Sequence, residues 1–324
     1  METTQKVDLA GSALIALTQC LGVKAGEKVL IITDEFRRKI GYTLWEKAKE
    51  LGAEAMIMEI IPRKNHGEEP PEAVAEAMKR VDVFICPTTK SLTHTTAREN
   101  ANKAGARGAT LPSVTEDMMM RTLSVDYNKV AESSLKFTKL LNEGKKVRVT
   151  TPAGTDITFS IEGRDGDPDT GLYLKPGEFG NLPAGEAYIA PVEETANGVI
   201  VVDGAMSGGG GIIEKEHIRM KVEKGYAVKI EGGKAALTLN ETLDSVGPLA
   251  RNIAEFGIGT NFKAIITGNI LEDEKVSDTV HFALGNNAHF GGKVDVPLHL
   301  DGILLKPTVE IDGNVIIKDG KHLI

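Results

Sequence analysis

In the first part of the chain, short apolar runs alternate with helical patterns, and that rhythm constrains the fold more than any other feature. EKVLIITD (27–34) is nearly continuous in apolar residues, as expected of a strand buried on both faces. FRRKIGYTLWEKAKELG follows, with Ile40, Leu44 and Leu51 near helical spacing and Gly52 as a stop. AEAMIMEII (53–61), PPEAVAEAMKR (70–80), VDVFICP (81–87) and LTHTTARENANKAG repeat the strand-then-helix order twice more. A short GARGATLP strand and helices over 114–122 and 126–143 complete the series. Repeated β-α units imply a mostly parallel, helix-covered sheet, with ligands favoured at the carboxyl ends of its strands. No GxGxxG or phosphate-binding loop follows any strand, so a nucleotide reading lacks its phosphate cradle.

Near residue 145 the rhythm changes. KKVRVTTPAGTDITFSIEGR predicts two alternating strands around a Pro/Gly turn. Short strands and glycine turns then dominate, interrupted by one helical pattern at roughly 242–254. The expected fold class is α/β, with a mostly parallel, helix-covered N-terminal domain (1–145) and a β-rich α+β C-terminal domain (146–324) that carries the metal-binding residues. At 324 residues the chain is long enough for two cores.

Charge and composition narrow the functions. A net charge of −8 leaves no basic excess for a nucleic-acid backbone. No apolar run approaches the ~20 residues that span a bilayer. METTQKVDLAGSALIALTQCLG has helical spacing and early charges, so it is read as an amphipathic helix of the fold, not a signal peptide. Two cysteines, Cys20 and Cys86, are too few for a disulfide framework, and a cytoplasmic protein is expected.

HFALGNNAHFGGKVDVPLHLDG (281–302) concentrates three of the seven histidines. In TVHFALG (279–285), Val280, Phe282 and Leu284 alternate with His281, which therefore lies on the opposite face of a strand. In PLHLDGI (297–303), Leu298 and Leu300 share one face while His299 and Asp301 share the other. Imidazole and carboxylate converging from rigid strands are what a metal ion needs. A hydrogen-bonded polar pair without metal is the alternative. Carboxylates should complete such a site. Glu186, in GNLPAGEAYIAPVE, starts a strand after a Pro/Gly turn, and Glu255, in RNIAEFGIGTN, ends the helical pattern before a Gly-x-Gly turn.

Taken together, NLPAGEAYIAPVE, AEFGIGTN, LEDEKVSDTVHFALG and HLDG, in this order, resemble the M29 family of metallo-aminopeptidases, the thermophilic aminopeptidase T type. TPAGTDITF (151–159) and TEDMMMR (115–121) fit the same resemblance, which covers most of the chain. It implies metal ligands at Glu186, Glu255, His281, His299 and Asp301, two divalent ions (Zn, Co, Mn or Mg), a peptide or small amide substrate and a homodimer. The implied mechanism is attack by a hydroxide held between the ions, with Glu186 or Glu255 moving the proton. One departure stands out: the family's tyrosine past the first histidine has no counterpart in ALGNNAHF, and His289 nearby is not its equivalent. Related sequences on this scaffold include a ring-cleaving dioxygenase of dihydroxypyridine, with one iron on two histidines and an aspartate. In that branch the carboxylate at the Glu255 position is expected to be altered; with Glu255 and Glu186 both present, the expectation is the dinuclear hydrolase. The alternatives are the mononuclear iron dioxygenase and a non-peptidase metal-binding protein.

The remaining motifs take plainer readings. SGGGG (207–211) reads as a tight turn, Met118 to Met120 as core or interface filler, and His94 as a capping or surface residue. LEDEK (271–275) reads as a solvated charged turn, with Glu274 or Lys275 near the metals as the alternative.

Overall fold

A computed structural model describes residues 8–324. The N-terminal helix covers Leu9–Ile15, where the Asp8 carboxylate caps it by accepting from the Gly11 amide at 2.8 Å, and continues as a π-helical turn over Ala16–Cys20. The part of that helical reading before Asp8 lies outside the described residues. Among the described residues no helix is long and apolar enough to cross a membrane.

The chain forms two compact units, one running to Ala131 and including Thr170–Ala184, the other made of Glu132–Asp169 and Gly185–Ile324. The first is a five-stranded parallel sheet in the order Glu54–Ile60, Lys28–Asp34, Val83–Cys86, Arg107–Thr110 and Phe179–Asn181. Lys28–Asp34 is buried from Val29 onward, as its unbroken apolar run requires. Helices Arg38–Glu50, Glu72–Met78 and Thr96–Lys103 alternate with the strands. The last is capped by Thr95, whose hydroxyl accepts from the Arg98 amide. Met118 and Met119 are buried, in keeping with a packing role. The fifth strand comes from the Thr170–Ala184 segment, which follows the first two strands of the other unit's eight-stranded sheet in sequence.

The second unit is built on two sheets. Lys146–Thr150 and Asp156–Ser160 pair antiparallel, as the sequence predicts, within an eight-stranded sheet. The seven-stranded antiparallel sheet runs Gly211–Ile212, Ala205–Met206, His299–Leu305, Thr279–Gly285, Ile253–Gly259, Glu186–Ile189, Asp167–Asp169. Phe159 of the larger sheet meets Phe256 and Phe282 of the smaller one, with ring centroids 5.3 and 5.6 Å away. The three rings anchor a shared apolar core, each contributing roughly 2–3 kcal/mol through burial. SGGGG forms the turn between two short strands, with Gly208, Gly209 and Gly211 all at positive φ.

The helix expected over 242–254 in this unit differs from that expectation. It covers Lys234–Val246, burying Ala236, Leu239 and Leu243, and stops at Gly247 (φ 118°) and Pro248. The apolar spacing over 242–254 therefore spans a helix end, a 3-10 turn at Pro248–Arg251 and the start of a strand at Ile253. Glu255 lies inside that strand, not at a helix terminus.

Candidate metal centre

The register of the seven-stranded sheet assembles the site. Across neighbouring strands Glu186 pairs with Gly259, Tyr188 with Gly257, Gly257 with His281, Glu255 with Ala283, Ala283 with Asp301, and Gly285 with His299. Opposed residues point to the same face, as do alternate residues along a strand. Glu186, Tyr188, Glu255, His281, His299 and Asp301 therefore share one face. Phe256, Ile258, Val280, Phe282, Leu284 and Leu304 take the other and enter the core. The strand glycines serve proximity. A Cβ on Gly257 would fall 2.0 Å from the His281 Nε2, so only glycine leaves room for that imidazole.

All five residues expected as ligands come together. His281 Nε2 lies 3.1 Å from Glu255 Oε1 and 3.5 Å from Glu186 Oε2. His299 Nε2 lies 3.2 Å from Glu255 Oε2 and 3.3 Å from Asp301 Oδ1. Two overlapping groups result, Glu186–Glu255–His281 and Glu255–His299–Asp301, each able to hold a metal ion and sharing Glu255. His281 is fully buried, Glu186, Glu255 and Asp301 nearly so, and the His299 side chain is 31% exposed.

Surrounding contacts fix these groups. His299 Nδ1 lies 2.9 Å from the Asn286 carbonyl, which can only accept, so Nδ1 carries a proton and Nε2 faces the carboxylates, as a donor when protonated and as a lone pair for a bound metal otherwise. Asp301 is tied by its amide to the Ser207 hydroxyl at 2.8 Å, while the Ser207 amide donates to the Asp301 carbonyl. Glu186 Oε2 and His281 Nδ1 are buried without a hydrogen-bond partner. A buried carboxylate oxygen left unpaired is costly, and a proton or hydrogen-bond donor brought into the site would satisfy it. Nitrogen and oxygen donors without thiolate fit a divalent first-row metal.

LEDEK is not a solvated turn. Glu272, Asp273 and Lys275 are buried, because Glu272 and Asp273 accept from the backbone amides of Ile265 and Thr267 and so tie down the preceding loop. Lys275 Nζ reaches Glu186 at 2.5 Å, Glu274 at 2.7 Å and Asp169 at 3.4 Å. Tyr188, two residues after Glu186 on the same face, was also not singled out by the motifs; the EAY alternation was its available signal. Its ring meets Phe290 edge-on at 5.7 Å, and Phe290 meets His299 at 5.8 Å.

Burial opposes charge throughout, and the pairings decide the outcome. For Glu255, burial is outweighed by hydrogen bonds from His281 and His299, and the carboxyl falls well below its usual range. Burial works against both imidazolium forms, yet both pKa values rise: Glu255 is the main partner of His281, and Asp301 together with Glu255 holds His299. Burial pushes Glu186 up to about 8 against the pull of Lys275, with Asp169 and Glu255 adding to the rise. Burial also works against the Lys275 ammonium, but Glu186, Glu274 and Asp169 keep it charged.

Residues 12–323 match the family model described as NicX: 2,5-dihydroxypyridine 5,6-dioxygenase. The chain belongs to this family. A curated 2,5-dihydroxypyridine 5,6-dioxygenase from Pseudomonas putida (strain KT2440) is 25% identical over 264 residues, covering 76% of this chain and 73% of that protein. The structure of 2,5-dihydroxypyridine dioxygenase from Pseudomonas putida KT2440 superposes with a TM-score of 0.82 at 20% identity, over 98% of both chains. Wild-type AmpT from Thermus thermophilus superposes with a TM-score of 0.71 at 18% identity, over 98% of this chain and 99% of that one. At these identities the two superpositions bear on the fold alone.

Membership of the NicX family overturns the aminopeptidase expectation. The scaffold is shared with AmpT, but the matching family is an oxygenase rather than a hydrolase, and its named substrate is a dihydroxypyridine rather than a peptide. The homodimer that came with the aminopeptidase resemblance loses that support. The physical reason for the error lies in the carboxylates. Glu186 and Glu255 were counted as the negative charge that two dications demand, without the buried cation of Lys275 already paired with Glu186. An intact Glu255 does not mark the hydrolase branch.

Proposed function

We propose that this chain opens the ring of a dihydroxylated pyridine with dioxygen at a single ferrous ion, in place of the two Zn, Co, Mn or Mg ions implied by the aminopeptidase resemblance. The supporting observation is a family match over nearly the whole chain, joined to a site with two histidines and an aspartate on one sheet face. His299 and Asp301, which group with Glu255, would hold the ion together with His281, which contacts the other oxygen of Glu255. Ferrous iron, when bound, supplies the electron-transfer chemistry that lets dioxygen react with an electron-rich ring.

The chain's own residues supply binding and proton handling. Tyr188, Phe290 and His299 make a run of edge-on ring contacts beside the ligands, a border suited to a flat heteroaromatic ring. Burial, with Glu255, Asp167 and Glu186 nearby, keeps the Tyr188 phenol protonated, so it donates hydrogen bonds and does not accept protons. Glu186 Oε2, buried and without a hydrogen-bond partner, is the acceptor for a substrate hydroxyl proton in its ionised form; burial raises its pKa to about 8, so that form gains as pH rises toward 8. The two-cysteine composition suits a cytoplasmic setting. The test is oxygen uptake by ferrous-loaded protein with 2,5-dihydroxypyridine. The expected result is uptake matched to ring loss and abolished by chelation; ring loss without oxygen consumption would refute it.

A further inference from the structure

Lys275 is the one lysine buried among the described residues, with 2% of its side chain exposed. Its backbone is clamped, the amide donating to the Glu272 carbonyl and the carbonyl accepting from the Asn261 amide at 2.8 Å. Its ammonium meets three carboxylates from three separate pieces of chain: Asp169 on the edge strand, Glu186 on the next strand and Glu274 after the short helix Ile270–Asp273. That position belongs to one half of the centre. Glu186, Glu255 and His281 form one potential metal group; Glu255, His299 and Asp301 form the other.

We propose that Lys275 takes the place of a second metal ion, its ammonium filling the cation position on the Glu186 side so that the centre carries one dication instead of two. The inference rests on the one-metal reading above. A dication on Glu186 Oε2 would lie only a carboxylate's width from an ammonium bonded to Oε1 of the same group. Like charges that close, in a buried site, repel strongly. Remove the ammonium, and buried Glu186 with the partly buried Asp169 and Glu274 become three neighbouring carboxylates without it. A second divalent ion is the natural replacement. Lys275 is thus a positioning residue: it holds Glu186 and sets the metal count.

The experiment titrates metal-stripped protein with cobalt(II) and counts bound ions by elemental analysis after dialysis. Wild type and Lys275→Arg should hold about one ion per chain, and Lys275→Met about two. Lys275→Met combined with Glu186→Gln should return to about one. If Lys275→Met is unfolded without metal, added cobalt should restore its circular dichroism, since the second ion does the lysine's work. Two ions in wild type, one ion in folded Lys275→Met, or a Lys275→Met chain unfolded at every cobalt concentration would each overturn the proposal. Oxygen uptake measured on the same wild-type preparation judges the proposed function separately. One ion without dioxygenase activity would remove that function and leave the role of Lys275 intact.

Discussion

Replacing Gly257 by alanine puts a methyl carbon 2.0 Å from the His281 Nε2 and 2.1 Å from its Cε1. Ordinary contact begins near 3.4 Å, so the ring must retreat by about 1.4 Å (3.4 less 2.0). It has nowhere to go. His281 is fully buried, and the same ring nitrogen already faces Glu255 at 3.1 Å and Glu186 at 3.5 Å. Overpacking of this kind costs roughly 1–3 kcal/mol of stability. The larger consequence is for the metal, because a displaced ligand costs on the order of 10- to 100-fold in affinity, or roughly 1.4–2.7 kcal/mol. Two measurements separate these effects: thermal unfolding of the metal-free protein, and metal dissociation constants from competition with a chelator. Gly257→Ala should remain folded, melt lower and bind metal at least tenfold more weakly. Unchanged affinity would refute the claim that this glycine exists to admit the imidazole.

His299→Ala and Asp301→Ala should each abolish metal binding and leave the far-ultraviolet circular dichroism unchanged, because Leu300 and Leu304 pack the opposite face of that strand. Full metal content in either variant would contradict the ligand assignment. Metal binding should also weaken as pH falls. The raised pKa values of His281 and His299 mean that protons compete for the same nitrogens, so affinity is lost as pH drops through the raised values, by up to about tenfold per unit for each proton displaced. Affinity flat between neutral and mildly acidic pH would count against it. In the first unit, Arg107 forms a bidentate pair with Glu27 and also donates to the Leu21 and Gly22 carbonyls. Glu27→Gln should cost about 2 kcal/mol, below the roughly 3–5 for a fully buried pair because Glu27 is partly exposed. Burial works against the Glu27 charge, but Arg107 and the Lys24 amide outweigh it and lower its pKa. That stability is present above the unfolded value near ~4.3 and lost as pH falls through the lower folded one; a denaturant midpoint with no acid dependence traceable to Glu27 would contradict this.

The architecture was legible where one periodicity ruled. Unbroken apolar runs such as VLIITD marked the parallel strands, and alternation in TVHFALG and PLHLDGI placed His281, His299 and Asp301 on a face opposite the core. Legibility failed where periods overlapped: helix end, 3-10 turn and strand start follow one another from Leu243 to Glu255, and their apolar spacings merge into one helical pattern. Lys275 near the site was only the alternative reading of LEDEK, for a different reason. A run of charges reads as solvated unless something shows each carboxylate finding a buried partner, and those partners come from residues as distant as Asp169 and Glu186. The same blindness bore on the chemistry, since the two acids were taken as the mark of a hydrolase without the cation already paired with one of them.

The most direct test of the account supplies ¹⁸O-labelled dioxygen to the ferrous protein with 2,5-dihydroxypyridine and follows the product by mass spectrometry. A dioxygenase at this centre places both labelled atoms in the ring-opened product, and none without iron. Release of amino acids from aminoacyl-nitroanilides with no labelled product would contradict the account.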